Sequence, residues 1–412
     1  MTFHDVRMRG FKRRADVDEI IAWVDARDVA RLVETVALHD ARGRVLADAL
    51  TSDVAVPGFA RAAMDGWALQ GADTFGATDS DPLPLRVIGT SLPGRPFEGR
   101  VKAGQAIRIM TGAPLPEGAD TVLRAEDGAQ EDGVVRVRAP SAVGRHVGAI
   151  GEDIAVDTEV LPAGRVLRPQ DLGVASSIGR ASLDVLVPPI VDVLITGDEV
   201  DPPGTRPSGA RIADANGPTL EALVARDGGS ARITYLPDDA DGLATALRAT
   251  RASVVLVTGG SSVGEEDHAP RLLHELGTLA FHGVGLRPAA PTGVGILGET
   301  AVFLLPGNPV SCLCAYDLFA GRLVRRAAGL DPRLPYPRAR GTLTRKISSV
   351  LGRVDYVRVR IGGTEIEPVM SSGASILSST TEADGFVLVP RDHEGYAEGT
   401  EVEVYRYDAS RS

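Results

Sequence analysis

Cysteine and lysine are almost missing from this chain. Its 412 residues hold two cysteines, Cys312 and Cys314, one residue apart. Thiols so placed cannot build a disulfide framework, which fits a reducing compartment and a cytoplasmic location. With seven scattered histidines and no further cysteine, zinc ligation is not expected. Lysine occurs only at Lys12, Lys102 and Lys346, so arginine carries nearly all the positive charge. That charge is outweighed, leaving a net of −11. An acidic surface repels nucleic acid and anionic lipid. No apolar run approaches the ~18 residues that cross a bilayer. Neither nucleic acid nor a membrane is therefore an expected partner.

What is present is ordinary for a globular chain, with 43% hydrophobic and 24% charged residues. Intrinsic disorder and collagen-like structure are excluded, and the length suggests two to four domains. The basic opening (Arg7, Arg9, Lys12, Arg13, Arg14) runs into Ala15-Asp16-Val17-Asp18-Glu19 rather than an apolar segment. It reads as a solvated lead-in to a helix, not a secretion signal.

Residues 16–48 read as helical, because Val17, Ile20, Ile21 and Val24 fall on one face. From about 53 to 149 short alternating runs such as Val134-Val135-Arg136-Val137-Arg138 lie between turn residues, a β pattern. From 181 to 328 apolar strand-length runs alternate with helical stretches, the mark of βαβ units on a parallel sheet. Pro332, Pro335 and Pro337 form a linker. Alternation then returns at Tyr356–Arg360 and Glu401–Tyr405, which suits a small barrel or sandwich.

Three strands of the α/β segment run into glycine-containing loops: Thr196-Gly197-Asp198-Glu199, Thr258-Gly259-Gly260-Ser261-Ser262-Val263-Gly264, and Pro306-Gly307-Asn308-Pro309-Val310-Ser311. In an open parallel sheet, ligands bind outside the carboxyl ends of the strands, where helix N-termini also face. Three such loops point to an anion pocket, with phosphate the commonest occupant. None of these three loops is a Walker A loop or a G-x-G-x-x-G fingerprint. Asn308 with Pro309, and Asn216 with Pro218, read as helix starts, the second helix running over 218–227. Four acids stand in turns: Asp65, Asp153, Glu199 and Asp267. Carboxylates beside a phosphate pocket make sense when a divalent cation such as Mg²⁺ sits between them.

On these residues the sequence resembles the molybdopterin molybdenumtransferase (MoeA) family, whose eukaryotic counterpart is the E domain of gephyrin. The matching segments are Pro57-Gly58-Phe59 through Ala68, Arg108 to Pro114, Gly151-Glu152-Asp153-Ile154, Thr196 to Glu199, Thr258-Gly259-Gly260 to Gly264, and Leu305 to Ser311. They follow the family's order along nearly the whole chain.

The resemblance implies an elongated, multidomain α/β and β homodimer. Residues 1–52 and 150–180 would form a discontinuous linking domain, and 53–149 a β-rich insertion domain. Residues 181–330 would form a molybdopterin-binding α/β domain like those of MogA and MoaB adenylyltransferases. Residues 331–412 would form a C-terminal β-barrel. The implied reaction takes adenylylated molybdopterin and molybdate, releases AMP with the help of Mg²⁺, and leaves molybdenum on the dithiolene. The implied catalytic residues are Asp65, Thr111, Asp153, Glu199 and Asp267, with Asp65, Glu199 and Asp267 toward the metal. Gly259, Gly260, Ser261, Ser262, Gly264, Arg287, Pro306, Gly307, Asn308, Pro309, Ser311, Arg358 and Ser375 would hold the substrates. A molybdopterin adenylyltransferase and recipient molybdoenzymes are the implied partners.

The sequence departs from the family where oxyanions would bind. The usual Lys-Pro-Gly-Lys-Pro is Arg287-Pro288-Ala289-Ala290-Pro291, so Arg287 would stand for the first lysine and Ala290 removes the second. The expected serine near the chain's end falls on Ala374, with Ser372 and Ser375 beside it. These losses leave a diverged, non-transferring molybdopterin-binding paralogue or a scaffold as the alternative to an active transferase. Cys312 and Cys314 are expected inside a helix, Trp67 packed against its turn, and His268 on the solvated surface.

Overall fold

The computed structural model describes residues 14–259, 268–370 and 373–407. The basic residues Arg7 to Arg13 lie outside the described residues, as do Gly260, Ser261, Ser262, Gly264, Asp267 and Ser372. The chain divides into two compact units, one of residues 35–185 and the other of everything before and after them.

Helix α1 (Val17–Asp25) opens the described chain, its first turn closed by the Glu19 carboxylate accepting the Asp16 N–H at 2.9 Å. Ile20 and Val24 are fully buried, as the periodicity predicts. The helix does not continue to residue 48: it stops at Asp25, and Val33–Ala37 is a strand. Val33, Thr35 and Val36 are β-branched, which disfavours a helix and suits extended backbone.

The 35–185 unit is built on a six-stranded sheet of β1 (Gly66–Leu69), β2 (Leu83–Ser91), β3 (Gln105–Ile109), β4 (Thr121–Arg124), β5 (Gly128–Glu131) and β6 (Val134–Val137), in the order β4-β1-β3-β2-β6-β5. Val135 and Val137 turn inward from β6, as their alternation predicts. A separate small core combines Ala41 and Leu46 with Leu161, Leu167 and Ala175, the last on α2 (Pro169–Ser177). Trp67 packs over Gly128 and donates its indole N–H to Gln130 at 3.2 Å.

The other unit holds β7 (Ile190–Thr196), α3 (Asn216–Arg226), β8 (Ser230–Leu236), α4 (Ala240–Ala249), β9 (Val254–Thr258), α5 (Ala269–Leu276), β10 (Thr278–His282), β11 (Gly293–Leu297), β12 (Thr300–Leu305), α6 (Pro309–Ala315) and α7 (Gly321–Ala327), the last two joined by a π-helical turn. The sheet order is β8-β7-β9-β12-β11-β10, and the first four strands are parallel. All of β9 is buried, as expected for a parallel strand covered on both faces. Both cysteines are buried in α6.

Strands β13 (Arg338–Leu343), β14 (Val354–Gly362), β15 (Glu365–Met370), β16 (Gly385–Val389) and β17 (Glu401–Arg406) close a barrel in the order β14-β15-β13-β17-β16, with β16 pairing back to β14. Val357, Val359, Val402 and Val404 fill it. Within the barrel the Phe386 ring stacks between Tyr356 and Tyr405, with centroids 3.9 and 5.0 Å away, and Tyr356 and Phe386 are buried in the core shared with the α/β layer. Tyr336, in the proline-marked linker, donates its hydroxyl to the fully buried Asp317 at 2.9 Å.

Candidate active site

In the 35–185 unit, three of the motif segments come together. Strands β1 and β3 are antiparallel with Gly66 opposite Ile109, so Asp65 and Thr111 emerge side by side beyond the paired ends. The Asp65 Oδ1 accepts the Thr111 backbone N–H at 2.7 Å and its hydroxyl at 2.8 Å. Those two donors hold the Asp65 carboxyl below the usual carboxylate range. Both bonds fall on Oδ1, so Oδ2 takes part in neither. Gly66 is obligatory, because at φ +155° a Cβ would sit 1.9 Å from the Leu123 carbonyl oxygen. The Ala62 and Gly112 backbones close the turn, Gly112 donating to Ala62 at 2.8 Å. The third segment joins through Gly151, which donates to Pro57 at 2.9 Å, and Asp153, which donates to Val56 at 3.1 Å. The Asp153 side chain is exposed. Beside it, Glu152 receives the Arg61 guanidinium at 2.8 Å. The sequence offered one signal for this cation, its place in the Pro57 to Ala68 segment four residues before Asp65.

In the other unit, parallel register aligns the three loops. Ile195 lies opposite Thr258, and Thr258 opposite Leu305, so β7, β9 and β12 end side by side. Gly259 has φ +92°, and a Cβ there would meet the Thr196 carbonyl oxygen at 2.2 Å. A Cβ on Gly307 would lie 3.7 Å from the Gly259 Cα. The Gly259 backbone thus touches Thr196, and Gly307 lies about a methyl group's breadth from Gly259. Glu199 is exposed and curls back over Gly197, where a Cβ would meet Glu199 Oε2 at 2.8 Å. Arg211 stands in the same acidic loop, donating to the Asp198 carbonyl at 2.6 Å and to Asp201 at 2.9 Å. Its side-chain bond depresses the Asp201 carboxyl.

The expected cap at Asn216 is corrected. Asn216 is the first residue of α3, and the Asp214 carboxylate accepts the N–H groups of Asn216 at 2.8 Å and Gly217 at 3.0 Å. Tyr235 also donates to Asp214 at 2.8 Å, and burial together with that bond pushes the phenol up to about 12. A carboxylate here satisfies the helix dipole internally, so the start of α3 is closed to an anion. The Asn216 side chain instead spans the loops, donating to the Thr258 hydroxyl at 2.9 Å and the Gly307 carbonyl at 2.8 Å. The signal in the sequence was polar: Asp214 and Asn216 sit next to a buried run, where unpaired polar groups are not tolerated.

Pro306 is buried, Gly307 and Asn308 are exposed, and Pro309 opens α6, which carries the buried Ser311. Asn308 occupies the cap position without a side-chain capping bond. The barrel reaches this point: the Ala374 carbonyl accepts the Val310 N–H at 3.0 Å. Ser375 beside it is exposed. Arg358 is fully buried near Cys314, and desolvation lowers its pKa. Arg287 ion-pairs with the fully buried Asp355, so its charge is already engaged. Ala290 accepts the Val284 N–H at 2.8 Å in a turn that offers no cation. His268 is not a solvated surface residue: it is half-buried, with Nδ1 closed off from water. Among the described residues no three acidic, histidine or cysteine side chains cluster as a complete metal cage. Single carboxylates such as Asp65 and Glu199 still suit Mg²⁺, which takes one or two of them and completes its shell with substrate oxygens and water.

Three family models match the chain in order: the MoeA N-terminal region (domains I and II) over residues 15–179, a probable molybdopterin binding domain over 192–326, and the MoeA C-terminal region (domain IV) over 340–407. A molybdopterin molybdenumtransferase 2 of Mycobacterium tuberculosis is 34% identical, covering 90% of this chain and 94% of its own. A putative molybdopterin biosynthesis protein of Methanocaldococcus jannaschii is 32% identical, covering 92% and 93%. The crystal structure of the MoeA molybdopterin biosynthesis protein from Pyrococcus horikoshii superposes with a TM-score of 0.87 at 30% identity, covering 96% of this chain and 100% of that one. The chain belongs to the molybdopterin molybdenumtransferase (MoeA) family, transferases of molybdenum cofactor biosynthesis.

Proposed function

We propose that the protein inserts molybdate into adenylylated molybdopterin and releases AMP, in an Mg²⁺-dependent reaction. The observation that carries this reading is the convergence of three glycine loops at the carboxyl edge of β7, β9 and β12. Exposed amides there suit a phosphate-bearing substrate. Glu199 and Asp267 (outside the described residues) are the acids that would hold Mg²⁺ at that edge, and Asp65 is the carboxylate proposed toward metal in the 35–185 unit. Held by such carboxylates, Mg²⁺ would supply charge neutralisation at the phosphates. Thr111 fixes the direction of the Asp65 carboxylate, and Asp153 is a further exposed carboxylate of the same unit. Gly259, Gly307 and Asn308 cradle the phosphate. Water or a molybdate oxygen attacks the phosphoanhydride, whose P–O bond breaks to release AMP and leave molybdopterin its phosphate, and the two dithiolene sulfurs take the place of molybdate oxygens that leave as water.

The proposed working form is a homodimer in the cytoplasm, supplied by a molybdopterin adenylyltransferase and delivering to molybdoenzymes. Val54, Phe59, Ile150 and Val156 are exposed apolar residues around the Asp153 turn, which supports covering that face with a second copy. The second reading, a binder that does not transfer, is favoured by one observation: Arg287 is engaged by Asp355 and Ala290 supplies no charge.

Purified protein mixed with adenylylated molybdopterin, Mg²⁺ and molybdate should release AMP, with no release when either ion is left out. Tight pterin binding without AMP release would establish the non-transferring reading instead.

A further inference from the structure

Two of the three loops are joined by one side chain. An asparagine amide carries two N–H donors, and Asn216 uses them on partners from two different strand ends, Thr258 and Gly307. Asn216 is itself 9% exposed and held from behind by Asp214, which Tyr235 holds in turn. Thr258 is 1% exposed, so its hydroxyl needs a partner inside the protein.

The bond to Gly307 has a directional consequence. The Gly307–Asn308 peptide is not among the cis bonds of the described chain. In a trans peptide the carbonyl and the following N–H point in opposite directions. Asn216 draws the Gly307 carbonyl inward, so the Asn308 N–H is turned outward, on residues that are exposed. It stands where Gly307 meets Gly259.

Composition adds an independent observation. Asn216 and Asn308 are the only two asparagines in the 412 residues. A chain that otherwise does without this residue uses it at two positions of one clasp.

We propose that Asn216 is a positioning residue that aims the Asn308 backbone N–H at a phosphate oxygen of the substrate. It does not touch the substrate: it acts through the Gly307 carbonyl. Loss of the clasp leaves that peptide free to rotate and removes a charge-assisted hydrogen bond. The proposal rests on the phosphate-cradle reading of this edge.

The scarcity of asparagine makes the test direct. Protein labelled with ¹⁵N at asparagine alone gives two backbone amide signals, and Asn216→Asp deletes one and so assigns the other to Asn308. Inorganic pyrophosphate and AMP are the probes. In the unmodified protein the Asn308 amide proton should move downfield on saturation with either. In Asn216→Asp, which keeps the shape but replaces the donor with a carboxylate, that movement should vanish and Kd should rise on the order of 10-fold or more. Tyr235→Phe serves as the control for general weakening: it removes a support of Asp214 but leaves both donors of Asn216. It should lower the melting temperature while the Asn308 response persists. If pyrophosphate binds the unmodified protein and the Asn308 signal stays still, the inference is overturned while the functional reading stands, and this result needs no variant to fold. Protein that binds neither probe would overturn both. A full Asn308 response in Asn216→Asp would show that the clasp does not direct the amide.

Discussion

Asp65 shows how one side chain can be fixed by its neighbours and still present a free edge. Thr111 takes Oδ1 with two donors, which sets the carboxylate's direction and favours its charged form. Asn keeps an oxygen for Thr111 but loses the charge. Asp65→Asn should therefore lower kcat about 10- to 100-fold while pterin affinity changes little; steady-state kinetics beside a binding isotherm would read the split. The pH dependence has a definite sign. Because its folded pKa is depressed, Asp65 lends stability above its unfolded value of about 4, and that stability is lost as pH falls through the folded value. Thermal melts between about pH 5 and 2 should fall less steeply in Asp65→Asn than in the unmodified protein. At Ala290 the missing charge can be restored: Ala290→Lys should lower the apparent KM for molybdate severalfold. An unchanged KM would place the oxyanion elsewhere.

At the scale of elements, the ends of β7, β9 and β12 matter more than the strands themselves. Gly259→Ala would bring a Cβ to 2.2 Å from the Thr196 carbonyl oxygen at a backbone φ of +92°. It should cost about 1–3 kcal/mol of stability and abolish phosphate binding, checked by denaturant unfolding and pyrophosphate titration. Gly307→Ala should be far milder, since its Cβ would make ordinary contact. The strands and their loops were legible in the sequence, because buried parallel strands are apolar runs and the turns after them need glycine. The clasp of Asn216 was not legible. Its partners lie 42 and 91 residues away, and a helix-start asparagine looks the same whether it caps or spans. The helix expected to reach residue 48 failed for a local reason, a cluster of β-branched residues that a 3.6-residue period does not weigh. The engagement of Arg287 was likewise hidden: its partner Asp355 lies on a barrel strand 68 residues on.

On the scale of the molecule, the barrel's attachment to the α/β layer decides whether Arg358 and Ala374 stand near α6. That attachment runs through Tyr336, Asp317 and Arg226, a polar knot in an apolar setting. Burial raises the Asp317 carboxyl, while Arg226 and the Tyr336 hydroxyl oppose the rise. Asp317→Ala should destabilise the fold by about 1–3 kcal/mol, because Tyr336 loses its buried acceptor while Arg226 keeps the fully buried Asp227; denaturant titration would measure the loss. The most direct measurement on the whole is a crystal structure of the protein with AMP bound. The expected result places the AMP phosphate within hydrogen-bond reach of the Asn308 N–H, against Gly259 and Gly307. An AMP molecule bound away from the ends of β7, β9 and β12 would contradict the phosphate cradle and the transferase chemistry built on it.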